Sequence, residues 1–183
     1  MQTEVIMSGF GGQGLMMIGK LLASAGLDEG KDVTWLPSYG PEMRGGTANC
    51  TVVIADKPIG SPLISSPKAA VVMNQPSLEK FAPMLRKDGI LVINSTMIPV
   101  DSDRTDLHSF RIKADDVAQK LGNRRSANLV MLGAFIGLEE VVSPKTLVKA
   151  IKKTFAKKKQ FIDVNCKTFM KGYELAKAGK SDG

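Results

Sequence analysis

Residues 9–14 read GFGGQG, and residues 3–7 just before them read TEVIM. Val5, Ile6 and Met7 are apolar in succession, as a parallel strand buried on both faces requires; this predicts a short strand over Glu4–Ser8. Beyond the glycines, Leu15, Ile18, Leu22 and Ala25 recur at spacings of three and four, which predicts a helix from about Gln13 to Leu27. Gly9-x-Gly11-x-x-Gly14 therefore sits in the strand–turn–helix context of a phosphate-binding fingerprint. In that fingerprint the first glycine permits the tight turn, the second lets a phosphate approach the backbone, and the third packs the helix against the strand. The helix N-terminus adds N–H groups and the positive end of a dipole. A glycine turn that serves packing alone is the alternative.

The next strand, Asp32 to Leu36, is expected to end at Pro37. A nicotinamide-binding domain places an acid near the end of this strand for a ribose hydroxyl. Residues 34–38, TWLPS, hold no carboxylate, and Asp32 lies at the wrong end. In place of the acid stands the loop Ser38 to Gly46, SYGPEMRGG. Gly40-Pro41 and Gly45-Gly46 constrain or free the backbone on both sides of Glu42-Met43-Arg44. Arg44 can grip a carboxylate or phosphate through two parallel hydrogen bonds. Glu42 can pair with it or orient a group across an interface, and Tyr39 offers a ring and a hydroxyl. A structural turn is the plain reading; this much chemistry in nine residues favours a site or an interface.

The rest of the chain alternates between strands and helices. Ala48–Ala55, Ala69–Met73, Ile90–Asn94 and His108–Lys113 read as strands. Pro76 opens a helix bearing Leu78, Phe81, Met84 and Leu85, and Gly89 closes it; Asp115–Leu121 is a short helix. The last third is helical: Ala127–Glu140 is apolar all round and so deeply packed, Ser143-Pro144 caps a helix to about Lys157, and a last helix runs from about Phe161 to Ala178. Asn128, at the start of the apolar helix, either caps it or reaches the glycine turn. With no repeat or linker, residues 1–183 are expected to form one Rossmann-like α/β domain: a mostly parallel sheet flanked by helices, a helical C-terminal third, and a frayed tail at about 180–183.

Composition excludes several chemistries. Cys50 and Cys166 form no C-x-x-C pair, so they cannot ligate an iron–sulfur cluster or close a zinc site alone. His108 is the only histidine, which leaves Ser-His-Asp catalysis unsupported. The net charge of +7 has a visible source in KKTFAKKKQ, Lys152 to Gln160. It reads as a solvated helix face or as an attraction for an acidic partner or phosphates. Aromatics make up 5% of the chain and supply no stacking platform, so no nucleic acid is expected. The apolar stretches stop short of membrane-spanning length and no leader pattern opens the chain; the expected location is the cytoplasm, with no membrane contact.

GFGGQG, VTWLPSYGPEMRGGTANC, VVIADKPIGSP, VVMNQPSLEKF, GILVINST and SANLVMLGAFIG together resemble the gamma subunit of 2-oxoacid:ferredoxin oxidoreductases, over roughly Thr3 to Phe155. The 2-oxoglutarate type is the nearest, then 2-oxoisovalerate, with pyruvate enzymes further off. The resemblance implies one subunit of an enzyme that oxidatively decarboxylates a 2-oxoacid, reduces ferredoxin and releases acyl-coenzyme A. It implies alpha and beta partner subunits, with a ferredoxin-like delta subunit or domain in some complexes. Thiamine diphosphate with Mg2+ and the iron–sulfur clusters belong to those partners, so this chain has no complete active site. It further implies that Gly9, Gly11, Gly12, Gln13 and Gly14, together with Ser38, Tyr39, Glu42, Arg44, Gly45, Gly46 and Asn128, contact coenzyme A or the partners. A self-sufficient NAD(P)-dependent dehydrogenase and a ligand-free scaffold are the alternatives.

Overall fold

The alternation at Val5, Ile6 and Met7 decides which helices cover which face of the sheet. The computed structural model describes residues 1–38 and 48–179. Its strands are β1 (Gln2–Gly9), β2 (Asp32–Ser38), β3 (Ala48–Ala55), β4 (Ala69–Val72), β5 (Ile90–Asn94) and β6 (His108–Ile112). Its helices are α1 (Leu15–Asp28), α2 (Gln75–Phe81), α3 (Ala114–Lys120), α4 (Ala127–Leu138), α5 (Pro144–Thr154) and α6 (Ile162–Lys177). Val5 and Met7 pack into the larger core with α1, α3, α4 and α5, while Ile6 points to a smaller core with Leu78 and Phe81 of α2.

The strands form one sheet in the order β2-β3-β1-β4-β5-β6. β1, β4, β5 and β6 pair in parallel, and β3 runs antiparallel to both β1 and β2. Five strands therefore share one direction, and the sheet is mostly parallel, as expected from the sequence. One departure bears on the site. β3 is wedged between β1 and β2, so the second strand does not neighbour the first as it does in a dinucleotide-binding half. Pro37 does not end β2: the strand continues to Ser38, and Pro37 lies opposite Cys50. An edge strand tolerates this because the N–H that proline lacks can face away from the ladder.

α4 is buried along Ala127–Gly137, and Leu129, Met131, Leu132, Phe135 and Ile136 are fully enclosed. Each such side chain contributes about 1.5–3 kcal/mol relative to exposure. α4 and α6 touch backbone to backbone. A Cβ at Gly133 would lie 2.0 Å from the Phe169 carbonyl oxygen, and one at Gly172 would lie 2.0 Å from that of Val130. This close contact fixes α4 and aims its N-terminus at the end of β1.

Candidate functional site: a crevice at the carboxyl ends of β1 and β4

β1 and β4 are parallel neighbours, but the helices that come after them go to opposite faces, α1 to the larger core and α2 to the smaller. Opposed exits from adjacent strands open a crevice at their carboxyl ends, the usual ligand position in such sheets. The glycine turn lies there. Gln13 N donates to Phe10 O at 3.3 Å, and Phe10 N donates to Gln13 Oε1 at 2.6 Å, so the glutamine side chain folds back over its own turn. Gly9 leaves room for it, since a Cβ there would meet Gln13 Oε1 at 2.4 Å. Gly12 has φ 88° with open space around it, so the bar to a side chain is conformational. Gly11 borders a smaller hollow of about 220 Å³ with Phe10, Leu15 and Ala48.

Gly14 does a different job from the one the fingerprint suggests. It is the N-cap of α1 with φ 77°, and a Cβ on it would lie 2.3 Å from Asn128 Nδ2. Its neighbour is therefore the start of α4, not a strand. Packing of α1 on the sheet falls to Gly19, where a Cβ would meet Cys50 Sγ at 2.5 Å. Asn128 does not cap α4. Ser126 holds the cap position without a side-chain bond, and Asn128 Nδ2 donates to Gly14 O at 3.1 Å. The asparagine thus ties the N-termini of α1 and α4 together. Its other amide atom, Oδ1, is buried without a hydrogen-bond partner on a side chain only 2% exposed.

Both helices begin with no side-chain cap and no acid in the first turn. α4 nevertheless runs on from a short 3-10 turn, Arg124–Ser126, in which Asn123 Oδ1 accepts from Arg125 N at 3.2 Å and Ala127 N donates to Arg124 O, so of the two only α1 starts bare; the positive dipole ends of both face a cleft of about 520 Å³. Gly12, Gln13, Gly14 and Asn128 line its inner part, and Arg124, Arg125 and Lys158 also line it. No Asp or Glu lines it among the described residues. Arg124 Nε contacts Asp115 Oδ1 at 3.3 Å, and Asn94 Nδ2 holds the other Asp115 oxygen at 2.8 Å. Arg125 and Lys158 have no ion pair among the described residues. The field in this cleft favours an anion.

The crevice has binding groups and no evident reacting group. Cys50, beneath the first turn of α1, donates weakly to Leu15 O at 3.5 Å; burial pushes its thiol up to about 11, so it is neutral and unreactive at ordinary pH. Ser38 ends β2, exposed, opposite Asn49. Tyr39, Glu42, Arg44, Gly45 and Gly46 lie outside the described residues. The two ends of their segment, Ser38 and Ala48, sit at the crevice edge of the sheet, where Ala48 pairs with Gly9. Sequence reading missed Arg124, Arg125, Phe155 and Phe161 as lining residues. A signal was present for the arginines: two basic residues directly precede a helix start, where acids are the favourable choice.

The fold and crevice define a doubly wound α/β domain suited to an anionic ligand between two helix N-termini. The family model described as pyruvate ferredoxin/flavodoxin oxidoreductase matches residues 4–175, and the chain belongs to that family. It is 38% identical over 177 residues to the ketoisovalerate oxidoreductase subunit VorA of Methanothermobacter thermautotrophicus, covering 96% of this chain but 37% of that protein. The chain thus spans little more than a third of that relative's length. It is 33% identical to the 2-oxoglutarate synthase subunit KorC of Methanocaldococcus jannaschii, over 97% of this chain and 95% of the relative. Among solved structures, the keto/oxoacid ferredoxin oxidoreductase gamma subunit of Geobacter sulfurreducens superposes with a TM-score of 0.85 at 30% identity, covering 96% of this chain and 99% of that one.

Proposed function

We propose that this chain acts as the gamma subunit of a cytoplasmic 2-oxoacid:ferredoxin oxidoreductase, and that its crevice receives coenzyme A. The observation that carries the ligand reading is the meeting of the uncapped α1 N-terminus with the start of α4 in a cleft lined by three cations. The phosphates of coenzyme A suit that field, and a hydroxyl or amide of the ligand suits the unpartnered Asn128 oxygen. Alpha and beta subunits supply thiamine diphosphate, Mg2+ and the clusters. Two cysteines in 183 residues do not make a four-thiolate cluster. Ferredoxin is the electron acceptor.

For the oxoacid, 2-oxoglutarate is the first reading from the sequence, and the 38% identity to a ketoisovalerate subunit supports a branched-chain 2-oxoacid as the second. The test is turnover of the complex purified with its partners, using both oxoacids and pyruvate. Coenzyme A-dependent ferredoxin reduction is expected from the complex, and none from this chain alone. Nicotinamide reduction by the isolated chain would replace this reading with the dehydrogenase. A complex whose KM for coenzyme A is unchanged by Gly12→Val would remove the ligand from the crevice.

A further inference from the structure

α5 divides into two faces. Leu147, Ala150 and Ile151 are buried against the core, while Lys145, Lys149, Lys152 and Lys153 are exposed at spacings of three and four. Between Pro144 and Lys171 stand nine lysines and one acid, Asp163, so this segment holds more than the whole net charge of +7. None of the nine forms an ion pair among the described residues, whereas Lys31, Lys68 and Lys177 each meet a carboxylate. The arrangement works against the helix itself. Lys145–Lys149 and Lys149–Lys153 are like charges one turn apart, and Lys145 stands in a first turn with no acid to meet the positive dipole end. α6 packs alongside, close enough for the Lys152 ammonium to bear on the Cys166 thiol, which burial pushes up and that charge opposes. Solvation alone is served as well by mixed signs; a surface of one sign serves steering, and a partner of the opposite sign relieves the repulsion.

The composition of the face also says what kind of partner it fits. Permanent subunit interfaces are apolar and poor in lysine, whereas weak redox encounters are small and steered by charge. Among the described residues, Phe161 is the only exposed large apolar side chain between Pro144 and Lys171, and it lines the cleft. Phe10, Leu36, Leu63, Met97 and Val100 are exposed elsewhere on the molecule. We propose that the lysine face of α5 is a docking surface for a small acidic redox protein, the soluble electron acceptor of the assembled complex. This rests on the gamma-subunit reading, which supplies such an acceptor in ferredoxin. The lysines carry no electrons; they speed the encounter and orient the acceptor's acidic side.

The experiment is steady-state reduction of ferredoxin by the assembled complex at low and at high ionic strength. The wild-type KM for ferredoxin should rise several-fold with salt, and a salt-independent value overturns the proposal. Lys149→Glu with Lys153→Glu is expected to raise that KM about tenfold at ~20 mM salt and less than about twofold at ~500 mM, where exposed charges are screened. The kcat and the KM for coenzyme A should hold, because neither lysine lines the cleft. Both lysines are exposed, so the pair of substitutions spares the fold, which a thermal melt checks. Lys149→Arg with Lys153→Arg keeps the charge and should keep the wild-type KM. Lys57→Glu with Lys120→Glu changes the net charge equally, on exposed residues elsewhere, and should leave the KM within about twofold. An unchanged KM in the α5 reversal overturns the docking surface, as does an equal rise from the Lys57 and Lys120 pair. Loss of the partner subunits on gel filtration overturns it too, since α5 is then a permanent contact. The gamma-subunit reading fails separately, if the wild-type complex reduces no ferredoxin with any 2-oxoacid.

Discussion

α2 and α5 begin on capping side chains, whereas α1 begins bare at the crevice and α4 only follows a 3-10 turn, Arg124–Ser126, that Asn123 caps. Asn74 Oδ1 accepts from Ser77 N at 3.0 Å at the head of α2, Ser143 Oγ accepts from Lys145 N at 3.2 Å at the head of α5, and each helix carries a proline in its first turn. α1 starts at a left-handed glycine and α4 at a serine whose hydroxyl is turned to Asn123 O and Thr168. A cap contributes about 1 kcal/mol, so omitting it from α1 leaves stability unclaimed where an anion can complete the helix. The contrast teaches that the start of α1 is the helix end where the proposed anion would add most. It also singles out the Gly14–Asn128 contact as the joint that holds the starts of α1 and α4 side by side.

Breaking that joint should have the largest effect. Gly14→Val puts a β-branched residue at φ 77° and drives its Cβ into the Asn128 amide, 2.3 Å away. Strain and overpacking together should cost about 3 kcal/mol, read as a lowered thermal midpoint, with coenzyme A affinity falling in the assembled complex. A variant within about 0.5 kcal/mol of wild type would show that the joint is not what sets the two helix ends.

How much is legible in the sequence differs between the two kinds of helix. The cap of α5, the apolar stripe of α1 and the all-round apolar run of α4 are local signals, and they place these elements within a few residues. Strand positions come from runs of apolar residues, but the wedging of β3 between β1 and β2 does not. Pairing order depends on long-range contacts that periodicity does not encode. The glycine turn is legible as a turn, while the neighbour of Gly14 is not. The fingerprint suggests a strand, and the neighbour is a helix 114 residues away in sequence. Asn128 keeps two roles open in the sequence because its partner lies across the fold. Lys158 is visible there as charge only; its place on the cleft wall comes from the turn after α5.

A second test reaches beneath α1. Cys50 is buried against the first turn of that helix, and its thiol is pushed from 9.0 to about 11 by desolvation. The raised value means that the folded state holds this proton more tightly than the unfolded chain. The resulting stability is fully present below about pH 9 and is lost as pH rises through about 11. The loss should approach roughly 2–3 kcal/mol at the limit. Denaturant unfolding at pH 7 and at pH 10.5 measures it, and Cys50→Ala should lower stability at both values while flattening the difference. A wild-type difference that Cys50→Ala leaves intact would assign the alkaline loss to other groups.

The smallest expected effect sharpens the contrast from the other side. Ser143→Ala removes the hydroxyl that accepts from Lys145 N, leaving that first-turn donor to water. The cost should be about 1 kcal/mol, because this helix end is exposed and water recovers part of the bond. Ser143 N also donates to Glu29 Oε1 at 2.7 Å, a backbone contact that the substitution keeps, so the junction with the end of α1 should survive. The KM for coenzyme A should stay at its wild-type value, since Ser143 does not line the cleft. The two readouts then separate: a capped helix spends its side chain on its own stability, and altering it leaves the ligand untouched. A rise in KM with Ser143→Ala would mean that the caps and the bare end are coupled through α1, and the division between the two kinds of helix start would no longer hold.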